Sequence, residues 1–158
     1  MTIRAYLYDA DGTDRPVDLQ DGIMASLSDR QLLWIHVIGN DQAEIERVGA
    51  TVHLHHESIK NLLNPIGRPR LDQFGAYFQV NVVAIEPAQK EDGLGFVQIP
   101  LDFFSGPNYV VTVHAQDLKF LHDFDDRVRE DSGLGALDSA SFLAALLDWH
   151  ITSYINSA

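Results

Sequence analysis

Apolar residues recur along this chain with two different periods, and the periods separate strands from helices. Residues 3–8 form a β-branched and aromatic run that predicts an edge strand, with a tight turn at Asp11-Gly12 just beyond it. Leu32-Leu33-Trp34-Ile35-His36-Val37-Ile38 is nearly continuous in apolar side chains and stops at Gly39, the pattern of a central strand covered on both faces. Residues 77–85 alternate, with Phe78, Val80, Val82 and Ala84 toward a core and Gln79 and Asn81 toward wetter surroundings. Alternation resumes over 96–104 through Val97, Ile99, Leu101 and Phe103, and Pro100, which has no amide hydrogen, predicts an edge or a bulge there. Residues 86–95 between them read as a polar loop. Gly106-Pro107-Asn108 reverses the chain into Tyr109-Val110-Val111-Thr112-Val113, an antiparallel hairpin with a loop longer than two residues.

Helical spacing fills the remaining segments. Asp41 and Glu44 stand in capping-box positions ahead of Ile45, Val48 and Val52, which share one helical face. A second helix over 56–63 buries Ile59, Leu62 and Leu63, and Asn64-Pro65 with Gly67 and Pro69 ends it. Asp117 caps a third, with Leu118, Leu121, Phe124 and Val128 inward and Asp123, Asp125, Asp126 and Glu130 outward. Gly133 and Gly135 break it, and a last helix from about Ser139 carries Leu143, Leu147, Ile151 and Tyr154 along a stripe. It meets no Gly or Pro terminator before the sequence stops, as a cut within or just after a helix would leave it. The 158 residues suit one domain, 1–158, of mixed α and β class, with no internal repeat.

Charge narrows the function. Eleven basic against 23 acidic residues give a formal net charge of −12, which repels a phosphate backbone or an anionic lipid surface and draws divalent cations. Nucleic acid is therefore a poor partner. With no cysteine there are no disulfides, thiolate metal sites or cysteine nucleophiles. The amino terminus lacks the layout of a secretory signal, and no stretch reaches the roughly 18 consecutive apolar residues of a membrane span.

Candidate chemistry is sparse. Gly93-Leu94-Gly95 and Gly133-Leu134-Gly135 lack the third glycine of a phosphate loop, and Ser105 sits at a hairpin turn instead of a nucleophile elbow. These absences predict no organic cofactor and no enzyme. Asp9, Asp11 and Asp14 do not fit a calcium loop, because Gly12 falls at the fourth position where the sixth is needed. The best local metal candidates are His53, His55, His56 and Glu57. His53 and His55 share a face only in an extended segment, however, while His56 and Glu57 open a helix. Asp148, between Leu147 and Trp149, is a further candidate for a metal or for a basic partner. His36, inside a strand, reads as a core histidine with a hydrogen-bond partner.

Several passages resemble the CorA magnesium-transporter family, which also includes ZntB-type zinc transporters. They are Leu33-Trp34-Ile35-His36-Val37 with the following helix and Leu54-His55; Leu62-Leu63-Asn64-Pro65 through Arg68-Pro69-Arg70-Leu71, with Tyr77 after it; Phe103 through His114; and Leu146-Leu147-Asp148 through Tyr154. The resemblance covers nearly the whole chain. It implies an α/β/α sandwich, a mixed and largely antiparallel β-sheet with helices on both faces, five copies of which form a funnel beneath a pore. It further implies a place on the cytoplasmic side of the cell membrane, reached only through carboxy-terminal helices outside this sequence. Partners would be other copies of the chain, as a homopentamer in the full-length protein, and divalent cations, Mg2+ or another, held weakly. Without the stalk the isolated domain is expected as a monomer or weak dimer. The acidic pair of the family's magnesium-sensing site falls on Lys60 and Asn61, which give up the charge that holds a hard cation. The function implied is a regulatory or architectural domain of a divalent-cation transporter. A stand-alone metal-binding or protein-interaction module built on the histidines is the alternative.

Overall fold

The two segments whose apolar runs leave no polar face become the parallel pair at the heart of one sheet. They are β3 (Gln31–Ile38) and β7 (Tyr109–His114), in register from Leu33 opposite Tyr109 to Ile38 opposite His114. Parallel strands need both faces covered, and all six residues of β7 are buried. The computed structural model describes residues 2–64, 69–116, 118, 119, 121 and 138–157. Around the central pair lie β1 (Thr2–Asp9), β2 (Arg15–Val17), β4 (Arg70–Gln73), β5 (Phe78–Lys90) and β6 (Gly93–Gly106), in the order β2-β1-β3-β7-β6-β5-β4. All pairings except β3 with β7 are antiparallel. A single 3-10 turn, Met24–Ser26, lies between β2 and β3.

Each face of the sheet has its own core. On one side Leu33, Ile35, Val37, Phe104, Val111 and Val113 meet α1 (Gln42–Thr51) and α2 (His56–Leu63) through Val48, Val52, Leu54 and Leu62. On the other, Leu32, Trp34, Leu101, Phe103 and Val110 meet Leu118, Leu121 and α3 (Ser139–Ser157) through Phe142, Leu143 and Leu146. This is the expected sandwich. Burying side chains of this size contributes about 1.5–3 kcal/mol each. α1 begins as its spacing predicts, with an Asp41 carboxylate oxygen accepting from the Glu44 amide at 3.0 Å. A Cβ on Gly49 would stand 2.8 Å from Cδ1 of Ile59, so glycine is what lets α1 and α2 approach.

The structure corrects several expectations. β1 is not at the edge, because β2 pairs outside it; Asp9 and Asp14 serve the intervening turn, the Asp9 amide donating to Asp14 at 2.9 Å. The polar segment 86–95 is not a loop. β5 and β6 stay paired as far as Lys90 opposite Gly93, so only Glu91 and Asp92 turn, with Gly93 at φ 119°. Cross-strand pairing there overrides weak strand propensity. The second hairpin is also tighter than predicted: Gly106 pairs with Tyr109, leaving Pro107 and Asn108, the latter at φ 62°. Pro100 sits just past the end of β7, where among the described residues β6 has a neighbour on one side only, so the edge it signals is local. β4 had no apolar alternation to announce it, and its Leu71 is 70% exposed.

Burial differs in three places. Gln79, assigned to wetter surroundings, is buried and bonded to Asp102. In α2 the buried residue is Ser58, while Ile59, Leu62 and Leu63 are half-covered. The buried stripe of α3 is Phe142, Leu143 and Leu146; Leu147 is half-covered and Ile151 exposed. Pro65, Gly67 and Arg68, the Asp117 cap, the helix body with Phe124, Val128, Asp123, Asp125, Asp126 and Glu130, Gly133 and Gly135 lie outside the described residues, as does the side chain of Tyr154.

Gly106 gives the fold its first test. A Cβ there would stand 2.3 Å from Cε1 of Tyr109, against a ring 4% exposed. Gly106→Ala should lower stability by about 1–3 kcal/mol, read from urea denaturation, and an unchanged midpoint would contradict the close approach.

Candidate functional site

The histidine segment lies where α1 gives way to α2. His53 adopts φ 59° after α1, and the Leu54 amide donates to the Gly49 carbonyl at 2.8 Å, closing the helix end. His55 then caps α2, its Nδ1 accepting from the Glu57 amide at 3.2 Å. Beneath it, Oη of Tyr77 accepts from the His55 amide at 2.7 Å and lies 2.6 Å from the buried Ser58 hydroxyl. Phe74 stacks between the two rings, 5.8 Å from His55 and 5.3 Å from Tyr77. His55 therefore has a structural task.

Of the remaining candidates His56 lies against it, ring centroids 4.3 Å apart, while His53 and Asp148 do not join them. His53, His56 and Glu57 are exposed, and Nε2 of His56 is 3.4 Å from the Glu57 carboxylate. Asp148 is exposed on α3, which covers the opposite face of the sheet, and among the described residues it has no ion-pair partner, contrary to the expectation of partial cover. Among the described residues no group of three or more His, Asp or Glu side chains is placed to hold a metal. Lys60 is exposed and Asn61 half-covered on α2.

Two buried polar groups lie inside the sandwich instead. On the α3 face, Nε2 of His36 is 2.8 Å from Nε2 of His114, and Nδ1 of His114 bonds the Gln116 carbonyl. A carbonyl only accepts, so Nδ1 of His114 carries hydrogen; a neutral His114 then accepts at Nε2 from His36. The Trp34 indole stacks on His36 at 5.5 Å and donates to Oγ1 of Thr112 at 3.1 Å. His36 is thus the bonded core histidine that its position predicts.

On the α1 and α2 face, Asp102 projects from β6 beside Gln79, whose Nε2 donates to Oδ1 at 3.0 Å. Burial pushes the Asp102 carboxyl above its ordinary 3.8, and the amides of Gln79 and Asn81 offset this only in part. Sequence reasoning missed Asp102 and His114. A carboxylate inside the apolar run Leu101 to Phe104 was the available signal.

Two measurements check this geometry. Tyr77→Phe removes the hydroxyl shared by the His55 amide and buried Ser58, so unfolding should become easier by about 1–3 kcal/mol, and a stability equal to wild type would remove that role. For Asp102, the folded chain holds a proton at pH values where the unfolded chain has lost it, because the folded pKa is raised above 3.8. Its contribution to stability therefore falls as pH climbs from 3.8 through the raised value. Asp102→Asn should flatten that slope in denaturation midpoints measured across the acidic range, and an unaltered slope would contradict the assignment.

Comparison with known proteins places the chain. The model of one family, described as "CorA-like Mg2+ transporter protein", matches residues 29–158. Among solved structures, the full-length CmaX protein superposes with a TM-score of 0.72 at 20% identity, over 98% of this chain and 46% of that one. The CorA magnesium transporter of Methanocaldococcus jannaschii gives 0.69 at 16% identity, over 99% and 47%. The ZntB cytoplasmic domain of Vibrio parahaemolyticus gives 0.64 at 13% identity, over 99% and 62%. The chain thus spans about half the length of the first two. No curated protein matches it. At these identities the superpositions establish a shared fold. Among the described residues no helix is long and apolar enough to cross a membrane.

Proposed function

We propose that this chain, which belongs to the CorA-like Mg2+ transporter family, is the cytoplasm-facing domain of a divalent-cation transporter and acts there as a regulatory and architectural unit. The observation that carries the proposal is the family match across most of the chain, in a fold that superposes over 99% of this chain on part of a ZntB cytoplasmic domain. The role is not enzymatic. Ion passage would belong to membrane helices outside residues 1–158, and several copies, five in the full protein, would stand together beneath them.

The surface supports such a role. A formal charge of −12 raises the local concentration of divalent cations around a mouth through which they pass. Lys60 and Asn61 on α2 supply no carboxylate where the family's sensing pair falls, so response to the ion would come weakly from dispersed acidic groups. Capping of α2 by Nδ1 of His55 gives the histidine segment a structural task and favours this reading over a metal module.

The test is flux. The full reading frame, reconstituted in liposomes, should carry a divalent cation such as Mg2+ or Zn2+, and removing residues 1–158 should alter how that flux depends on cation at the cytoplasmic side. A reading frame without spanning segments, or a flux indifferent to the deletion, would overturn the proposal.

A further inference from the structure

Three polar side chains to which the transporter role assigns no task lie together beneath α1 and α2. Asp102 of β6 stands directly opposite Asn81 of β5, with Gln79 two positions away on the same face. Gln79 is 3% exposed and Asp102 7%. With the Gln79 amide hydrogens turned to the carboxylate, its Oε1 is buried without a hydrogen-bond partner, and Oδ1 of Asn81 is left in the same state. Among the described residues no basic side chain pairs with Asp102.

An amide exchanges its donor and acceptor ends by a half-turn of its last torsion. Turned round, the two carbonyl oxygens would join the carboxylate in a set made only of oxygen, which is repulsive unless a positive species lies among them. Asp102 also lines a cavity of about 160 Å³ together with Asn40, Ile45, Leu62, Leu63 and Pro100. That space admits several waters.

We infer that Asp102, Asn81 and Gln79 form a site for a partly hydrated hard cation of the Mg2+ or Ca2+ kind. The Asp102 carboxylate, the one of the three that lines the cavity, supplies the charge and meets the water there, and the two amide oxygens, turned toward it, add neutral donors, as such ions require. Cation and proton compete for the carboxylate, so binding strengthens as pH rises. The inference stands on these side chains alone and does not rest on the transporter role.

The experiment titrates the 15N-labelled 158-residue chain with MgCl2 and, separately, CaCl2 while following the side-chain NH2 signals of Gln79 and Asn81. At least one cation should shift both signals saturably, with a dissociation constant weakened roughly tenfold or more in Asp102→Asn and unchanged in Asp148→Asn, an exposed acid on α3. Should Asp102→Asn not fold, Asn81→Ala replaces it, with weaker binding again expected. Signals that stay fixed up to about 10 mM cation, or a saturable shift that survives the variant, overturn the site. So do signals that answer to pH alone, because a proton would then occupy the position. Flux lost with this binding intact would count against the transporter role only.

Discussion

Two strands buried on both faces set the terms for the rest of this molecule. β3 and β7 run parallel at the centre, so neither face of the sheet there can be left to water. Parallel neighbours also cannot be joined by a tight turn, and the chain between them supplies α1, α2 and the β4-β5-β6 meander. The elements that cover the pair thus come partly from its own connection, with α1 and α2 beneath and α3 above. The two cores share no side chains, only backbone.

That arrangement decides which sequence signals were legible. Runs such as Leu32 to Ile38 and Tyr109 to Val113 announce themselves because burial on both faces leaves them almost wholly apolar, with His36 and Thr112 as the exceptions. The Asp41 cap was equally clear, being local. Elements held by long-range pairing were harder to see. β4 and the outer half of β5 have polar sequences, the first residues of β6 are rich in glycine, and all are strands because a partner strand satisfies their backbone. Turn lengths follow the same rule, since register with a partner, not composition, fixes them at two residues in both hairpins.

Candidate chemistry followed a similar rule. Of the histidines close in sequence at positions 53, 55 and 56, His53 turns the chain at the end of α1 while His55 caps α2 with the ring of His56 against it. The buried polar side chains that meet across the sheet are distant in sequence: His36 with His114, and Gln79 with Asp102. No spacing rule finds such pairs. What foreshadows them is a polar residue inside an apolar run, which has to find company across the sheet because water is absent.

Pro100 has a consequence beyond the strand that contains it. Past the end of β7 no strand among the described residues pairs with the outer sides of the β5-β6 ribbon, and Phe96 and Val97 are among its exposed residues. A long bare margin of this kind invites the same margin of another molecule to zip onto it. Pro100 and, on the opposite strand, Pro87 each delete a donor from the ribbon, and Glu91 and Asp92 put like charges at its tip. The ribbon can therefore reach out from the body of the sheet while resisting the stacking that leads to fibrils.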